Sequence, residues 1–212
     1  AASLPAQLAS LSCTLYDGGM QPFSLPSALQ TYADDTCPLA VDDLAAHMPP
    51  NTGAVFAVAV SGGPDSMALA LLAQQFAKNT HRHLHCFTVD HALRAISASE
   101  AVQTKQWLEQ RGMACDILTW QHAPLTSGIP EAARAARYEL LADACLQLGI
   151  RDLLVAHHRD DQRETVTMRL LSGSGALGLA GMQNVSYKHG LRILRPLLAC
   201  PRARLLATCE AH

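Results

Sequence analysis

Short apolar runs alternate with helix-forming segments along the chain, and this alternation predicts the fold. Residues 54–60 form a short, partly β-branched apolar run, which indicates a buried strand, and helix-forming residues continue to about Lys78. Further apolar runs predict four more strands, at residues 83–90, 114–120, 152–156 and 191–194. Strands that alternate with helices of about a dozen residues are typical of a doubly wound parallel sheet. We therefore predict an α/β protein with a five-stranded parallel sheet, Rossmann-like, with helices on both faces.

A glycine-rich turn joins the first predicted strand to the first predicted helix, with the sequence Ser61-Gly62-Gly63-Pro64-Asp65-Ser66. Backbone N–H groups at a helix N-terminus are unpaired and the helix dipole is positive there, which makes such a turn an anion site. Glycines let the backbone approach a phosphate closely, and serine hydroxyls add donors. The turn is not a Walker A loop, because no Gly-Lys-Ser/Thr closes it.

A second string follows the fourth predicted strand, with the sequence His157-His158-Arg159-Asp160-Asp161-Gln162-Arg163-Glu164-Thr165. Asp161 and Glu164 are three residues apart and share a face near a helix N-terminus, with Asp160 beside them. Such acids also complement the helix dipole, so a capping role explains them equally well. Beside a phosphate loop they would instead bind Mg²⁺ or a cationic amine. Because ligands lie at the carboxyl ends of parallel strands, we expect both strings, together with residues 90–94, to form one site.

Charge and cysteine content narrow the class of protein. The net charge is −2, but all sixteen basic residues lie from Lys78 onward, against twelve acidic residues in that part. This mild basic excess permits a nucleic-acid partner without demonstrating one. The seven cysteines form no C-x-x-C pair, which favours reduced thiols and a reducing compartment. No apolar run approaches the ~20 residues that span a bilayer, so we predict no membrane segment.

Residues 1–52 are predicted to be a leader, loosely structured or with one short helix, that precedes a catalytic domain at 53–212. The stretch is rich in Ala, Ser, Leu and Pro. It lacks the arginines of a mitochondrial transit peptide and the basic start of a secretory signal. In the catalytic domain, Ser97 is predicted to cap the second helix, with Glu100 at the capping-box position.

The glycine-rich turn resembles the PP-loop of the ATP pyrophosphatases, which cleave ATP to AMP and pyrophosphate while adenylating a carbonyl oxygen. Four further blocks extend the resemblance: Val-Asp-His-Ala-Leu-Arg at 89–94, Ala-Arg-Ala-Ala-Arg-Tyr at 133–138, the acidic string at 157–165, and Leu-Arg-Pro-Leu-Leu at 194–198. Their order and spacing are similar to those of the tRNA(Ile)-lysidine synthetase family, over about residues 54–210.

This resemblance implies a fold of the adenine nucleotide alpha hydrolase type and an ATP-dependent, carbon–nitrogen bond-forming ligase in the cytoplasm. Members of the family use ATP and Mg²⁺ to adenylate the C2 oxygen of the wobble cytidine in isoleucine tRNA with a CAU anticodon. The ε-amine of free L-lysine then displaces AMP, which gives lysidine.

The resemblance also implies roles for individual residues. The ATP phosphates would be held by the loop residues Ser61, Gly62, Gly63, Pro64, Asp65 and Ser66, with Asp65 also near Mg²⁺. His91 and Arg94 would contact ATP, or else stabilise their loop. Asp161 and Glu164 would recognise the lysine amines, supported by Asp160. Phosphates of ATP or tRNA would be contacted by Arg134, Arg137 and Arg195, or these arginines would stabilise the adenylate. For Arg134 and Arg137, a solvated basic face of the helix is the alternative. The residues expected to be catalytic are Asp65, Asp161, Glu164 and Arg195.

The sequence departs from the family pattern in two places. Pro130 stands where the family usually has Glu, with Glu131 one residue later. The chain stops at His212, before the family's acidic Asn-containing motif and C-terminal tRNA-recognition domains, so we expect a catalytic-domain fragment or a reduced protein. The alternatives are another PP-loop tRNA modifier such as a thiolase, an ammonia-using synthetase, and an ATP-binding module without catalysis. The oligomeric state stays open, with a homodimer as one option.

Overall fold

Six strands form one sheet in the order β3-β2-β1-β4-β6-β5, in a computed structural model that describes residues 36–123, 127–173 and 180–212. The strands are β1 Val55–Ala59, β2 His83–Asp90, β3 Ala114–Thr119, β4 Asp152–Leu154, β5 Val185–Lys188 and β6 Leu191–Leu194. All pairs among β3, β2, β1, β4 and β6 are parallel, whereas β5 is antiparallel to β6. The five predicted parallel strands are confirmed, and β5 is an additional edge strand.

The extra strand β5 joins β6 through a two-residue hairpin at His189 and Gly190. Both residues have positive φ, 49° and 79°, which is the geometry of the tight turns that suit the twist of a hairpin. The strand is short, and none of its residues is buried. A run of this kind lacks the apolar pattern on which the prediction of a strand depends.

The described part of the chain contains six helices: α1 Val41–Ala45, α2 Pro64–Asn79, α3 Ser97–Gln110, α4 Ile129–Gln147, α5 Arg159–Leu171 and α6 Arg202–Glu210. Helices α2, α3 and α4 pack against the strands, and α1 and α6 pack against α2. Alternate residues of β1 enter different cores. Phe56 and Val58 belong to the cluster that also holds Leu69 of α2. Ala57 belongs to the second cluster, with Leu141 of α4. The two cores confirm the doubly wound arrangement.

The predicted cap of the second helix is wrong. The N-cap of α3 is Ile96, in a helical conformation, and it makes no side-chain capping bond. Ser97 Oγ instead donates to the carbonyl of Arg94, and the Arg94 guanidinium donates to Glu100 at 2.7 Å. The chain thus enters α3 through a turn, which leaves no extended residue in the capping position.

Residues Pro38–His212 form one compact unit, which includes α1. Leu44 of α1 is fully buried in the core beside α2, and the Leu39 N–H donates to Thr208 Oγ1 of α6 at 2.7 Å. The predicted leader at 1–52 falls largely on residues 1–35, outside the described residues, and the boundary at 52 stays a prediction. Within the described ranges, no helix has the length and apolar character needed to cross a membrane.

A buried ion pair fastens the chain before β1 to the amino ends of β4 and β6. Arg192 of β6 donates two hydrogen bonds to Asp152 of β4, at 2.6 and 2.9 Å. The same guanidinium donates to the side-chain and backbone oxygens of Asn51, and Asp152 also accepts from the Gly53 N–H. The Asp152 side chain is 4% exposed, so its charge depends on this partner.

The substitution Arg192→Met leaves Asp152 as a buried carboxylate without its cation, and we expect it to lower the free energy of unfolding by about 3–5 kcal/mol. Urea denaturation measures the loss. The double variant Asp152→Asn/Arg192→Met keeps an acceptor for Gly53 but removes the charge, so it should recover most of the stability. Equal losses in the single and double variants would show that the buried charge is not the cause.

Candidate functional site

The predicted phosphate loop leaves β1 and enters α2 at the centre of the sheet. Gly63 is the N-cap of α2, and the first bond of the helix runs from the Met67 N–H to the Gly63 carbonyl at 3.0 Å. The N–H groups of Asp65 and Ser66 therefore have no acceptor within the helix. Ser66 Oγ donates to the Gly63 carbonyl and accepts from the Ser61 N–H, at 2.9 and 3.0 Å, which closes the loop on itself.

Gly62 allows the loop to approach α3 closely. Its φ is +82°, and a Cβ at this position would lie 2.5 Å from Thr104 Oγ1. Both the backbone conformation and the space exclude a side chain here. The glycine therefore fixes the distance between the loop and α3.

The acidic string begins α5, directly after β4. His158 is the N-cap, and its Nδ1 accepts from the N–H groups of Asp160 and Asp161 at 3.2 and 3.4 Å. Asp161 returns a bond by accepting from the His158 N–H at 2.8 Å, which completes a capping box. Asp161 thus has both the capping role that the sequence left open and a position at the site.

Asp65 lies between two basic side chains from other parts of the chain. Its carboxylate is 3.7 Å from His158 Nε2 and 3.3 Å from Arg202 Nε of α6. Because His158 Nδ1 accepts the bonds from the first turn of α5, Nε2 is the ring nitrogen that faces Asp65. The Arg202 N–H also donates to Asp160 at 3.2 Å, so the start of α6 contacts both acidic groups.

These elements surround one cavity of about 420 Å³ at the carboxyl ends of β1, β2 and β4. The position is the switch point of the sheet, because β2 and β4 lie on opposite sides of β1. The predicted residues that line it are Ser61, Asp65, Ser66, His91, Arg94, Arg134, Arg137 and Asp161. Gly62, Gly63 and Pro64 line a neighbouring cavity of about 710 Å³, which shares Ser61 and Arg94 with the first.

Three predicted residues line neither of these two cavities: Asp160, Glu164 and Arg195. Asp160 accepts from Arg163 and from the Arg202 backbone, and Glu164 is exposed on α5. Arg195 is 9% exposed and its Nε donates to His157 Nδ1 at 3.2 Å. It therefore contacts the site through His157, which does line the cavity.

Two histidines at the cavity are held in the neutral form. Burial, reinforced by the Arg195 guanidinium, lowers the pKa of His157 from 6.5 to about 4. Burial and the charge of Arg137 also lower the pKa of His91. Its Nδ1 is buried and has no hydrogen-bond partner among the described residues. This nitrogen is available to a polar group of a ligand in the cavity.

The sequence analysis did not predict the specific contacts of His157, His158 and Arg202. The two histidines stood in the string beside the acids, so their position after β4 was a usable signal. Arg202 is 137 residues from Asp65, and no local pattern connects them.

The carboxylates of the cavity fit a metal ion whose remaining ligands come from a substrate. In the described part of the chain, no group of three His, Cys, Asp or Glu side chains could hold a metal ion by itself. Asp65 and Asp161 line the cavity beside the phosphate loop. One or two carboxylates completed by substrate phosphates are the usual protein ligands of Mg²⁺.

Known proteins resemble the chain in sequence and in fold. The tRNA(Ile)-lysidine synthase of Bradyrhizobium sp. strain BTAi1 is 50% identical over 159 residues, which are 74% of this chain and 44% of that protein. The tRNA(Ile)-lysidine synthase of Rhodopseudomonas palustris is 46% identical over 153 residues, 71% of this chain and 44% of that protein. The chain spans about half the length of the curated relatives it matches.

A solved structure confirms the fold. The U34-tRNA thiolase NcsA from Methanococcus maripaludis, solved with its iron–sulfur cluster, superimposes with a TM-score of 0.69 over 80% of this chain and 61% of that one, at 17% identity. A family model described as the PP-loop domain matches residues 39–212. This range includes the phosphate loop, α5 and all the residues that line the 420 Å³ cavity. The chain therefore belongs to the PP-loop domain family.

Proposed function

We propose that this chain carries the catalytic site of a tRNA(Ile)-lysidine synthetase, an ATP-dependent ligase. It would adenylate the C2 oxygen of the wobble cytidine in isoleucine tRNA with a CAU anticodon, and lysine would then displace AMP. One observation carries the proposal: the phosphate loop after β1 and Asp161 after β4 line the same cavity. The similarity to relatives that bear this name, at 44–50% identity, supports it.

The phosphate loop would bind the triphosphate of ATP. The N–H groups of Asp65 and Ser66 at the start of α2, and the hydroxyls of Ser61 and Ser66, are donors on this side of the cavity. Asp65, in the first turn of α2, would hold Mg²⁺. When bound, the ion neutralises charge as pyrophosphate leaves. His91 and Arg94 would contact the nucleotide on the side of β2.

Other residues of the cavity wall suit lysine and the phosphates of ATP or tRNA. Asp161 presents a carboxylate for the lysine amine, and Glu164 and Asp160 belong to the same helix end. Arg134 and Arg137 line the cavity without a carboxylate within ion-pair distance in the described part of the chain. They would bind phosphates of ATP or tRNA, and Arg195 would position His157.

The reaction balances in two steps. The cytidine oxygen attacks the α-phosphorus of ATP, and the bond to the β-phosphate breaks to release pyrophosphate. The lysine nitrogen then forms a bond to C2, AMP leaves with the former C2 oxygen, and the amine loses a proton. A carboxylate at Asp161 would accept that proton.

The proposal also implies where in the cell the protein acts. It implies a cytoplasmic location with the tRNA, and buried thiols such as Cys86, Cys145 and Cys200 fit a reducing compartment. A homodimer stays a prediction.

A thiolase and an ATP-binding module without catalysis remain the competing activities, and substrate dependence separates them.

Pyrophosphate release from ATP should require both CAU-anticodon isoleucine tRNA and L-lysine for repeated turnover. A coupled phosphate assay measures it, with an isoleucine tRNA of different anticodon as the control. Turnover that needs a sulfur donor would favour a thiolase, and the absence of turnover with intact ATP binding would favour an ATP-binding module.

The substitution Asp161→Asn keeps an acceptor for the His158 N–H but removes the negative charge. We expect lysine-dependent turnover to fall at least about a hundredfold, ~2.7 kcal/mol of transition-state stabilisation, with ATP affinity retained. The matched control Asp42→Asn changes an exposed first-turn acid of α1 and should leave the kinetics unchanged. Equal kinetics for both variants would remove Asp161 from lysine recognition.

The substitution Gly62→Ala should weaken ATP binding at least about tenfold, ~1.4 kcal/mol, because the new Cβ meets Thr104 and shifts the loop. Isothermal titration measures the affinity. Gly112→Ala is the matched control, since its φ is also positive, +73°, but a Cβ there has nothing within 4 Å. If both variants bind ATP like the unmodified chain, the loop does not hold the phosphates.

A further inference from the structure

Three aromatic rings form a continuous cluster beside the cavity. The ring of His91 lies edge-on to Trp120, with centroids 6.3 Å apart and an interplanar angle of 88°. Trp120 is in turn in contact with the ring of His122, with centroids 4.1 Å apart and the two ring planes tilted by 36°. His91 lines the cavity, whereas the described wall of the cavity includes neither Trp120 nor His122. The cluster therefore runs from the nucleotide cavity to the surface beside it.

The backbone places this cluster at the same edge of the sheet as the phosphate loop. Trp120 directly follows β3, and its N–H donates to the carbonyl of Asp90 at the end of β2, at 2.8 Å. The carboxyl ends of parallel strands lie together, so Trp120 and His122 stand on the rim of the site.

The outer ring is fixed in orientation. His122 Nδ1 lies 2.8 Å from the carbonyl oxygen of Ala123, and Nε2 lies 3.1 Å from the carbonyl oxygen of His91. These two contacts and the tilted ring contact with Trp120 limit rotation of the imidazole. His122 and Trp120 are both only partly buried. A partly exposed ring whose orientation is already fixed by its neighbours is preorganised to present one face to a ligand.

We infer that Trp120 and His122 form a stacking platform for an unpaired nucleobase of the RNA substrate, next to the nucleotide that reacts. Proteins bind single-stranded RNA by combining aromatic faces with cationic groups that meet the phosphates. Arg134 and Arg137, which lack carboxylate partners in the described part of the chain, supply those cations at the adjoining cavity. This inference rests on the proposed function for the identity of the RNA.

The decisive variant is His122→Ala, tested on the chain with a CAU anticodon stem-loop RNA by fluorescence anisotropy. Loss of one stacked base should weaken RNA binding about 5- to 150-fold. His122→Phe keeps an aromatic face and should bind RNA within about threefold of the unmodified chain. The control Tyr187→Ala removes a ring that is 79% exposed on β5, and it should leave RNA affinity unchanged.

Two readouts exclude a merely structural role. The slope of log Kd against log salt should be unchanged in His122→Ala, because stacking neutralises no phosphate. The affinity for ATP should also be unchanged, since His122 is outside the described cavity wall. Thermal melting checks that the variants stay folded.

The two tryptophans of the chain give a direct spectroscopic test. In Trp107→Phe, the remaining Trp120 should be quenched by the stem-loop RNA. In Trp120→Phe, the remaining Trp107, which is stacked on the Arg111 guanidinium at 3.6 Å, should not respond.

Several results would overturn the inference. The first is a failure of the chain to bind the stem-loop RNA, and the second is an RNA affinity of His122→Ala equal to that of the unmodified chain. A third is a His122→Ala variant whose ATP affinity falls while its RNA affinity does not, which would assign the rings to the adenine of ATP. These binding tests do not depend on turnover. Quenching of Trp120 without lysine-dependent pyrophosphate release would support the platform while contradicting the proposed activity.

Discussion

The two halves of the site depend on one side chain, His158. Its Nδ1 accepts from the first turn of α5, and its Nε2 then faces Asp65 of the phosphate loop at 3.7 Å. Because β1 and β4 are hydrogen-bonded neighbours, the loops after them leave the sheet side by side. His158 fixes the position of the α5 N-terminus, and of Asp161 within it, relative to that loop. Without this cap, the two strings of the sequence would share a sheet edge but no defined geometry.

The charges of the site follow from this arrangement. Asp65 and Asp161 lie on the side of the helix N-termini, where the dipoles favour anions. Arg134 and Arg137 of α4 line the same cavity. Burial and the charge of Arg195, with smaller contributions from these two arginines, keep the pKa of His157 low. The wall of the cavity thus contains both cationic and anionic side chains, which is what a reaction of ATP, RNA and lysine would require.

The sequence predicted the parts that depend on local patterns. The five parallel strands came from short apolar runs, and the phosphate loop came from Gly62 and Gly63 at a strand–helix junction. The strand β5 was missed because it is short and no residue of it is buried. The spacing of Asp161 and Glu164 predicted a shared helix face but not its direction, and Glu164 lies exposed on α5. The contact of Arg202 with Asp65 comes from the packing of α6, which no local pattern encodes.

The account is tested most directly by the chemical identity of the product. Isoleucine tRNA with a CAU anticodon would be incubated with the chain, ATP and lysine, then digested to nucleosides for mass spectrometry. We predict that the wobble cytidine is converted to lysidine, and that the conversion stops when lysine is omitted. A thiolated wobble nucleoside, or unmodified cytidine despite the release of pyrophosphate, would contradict the account.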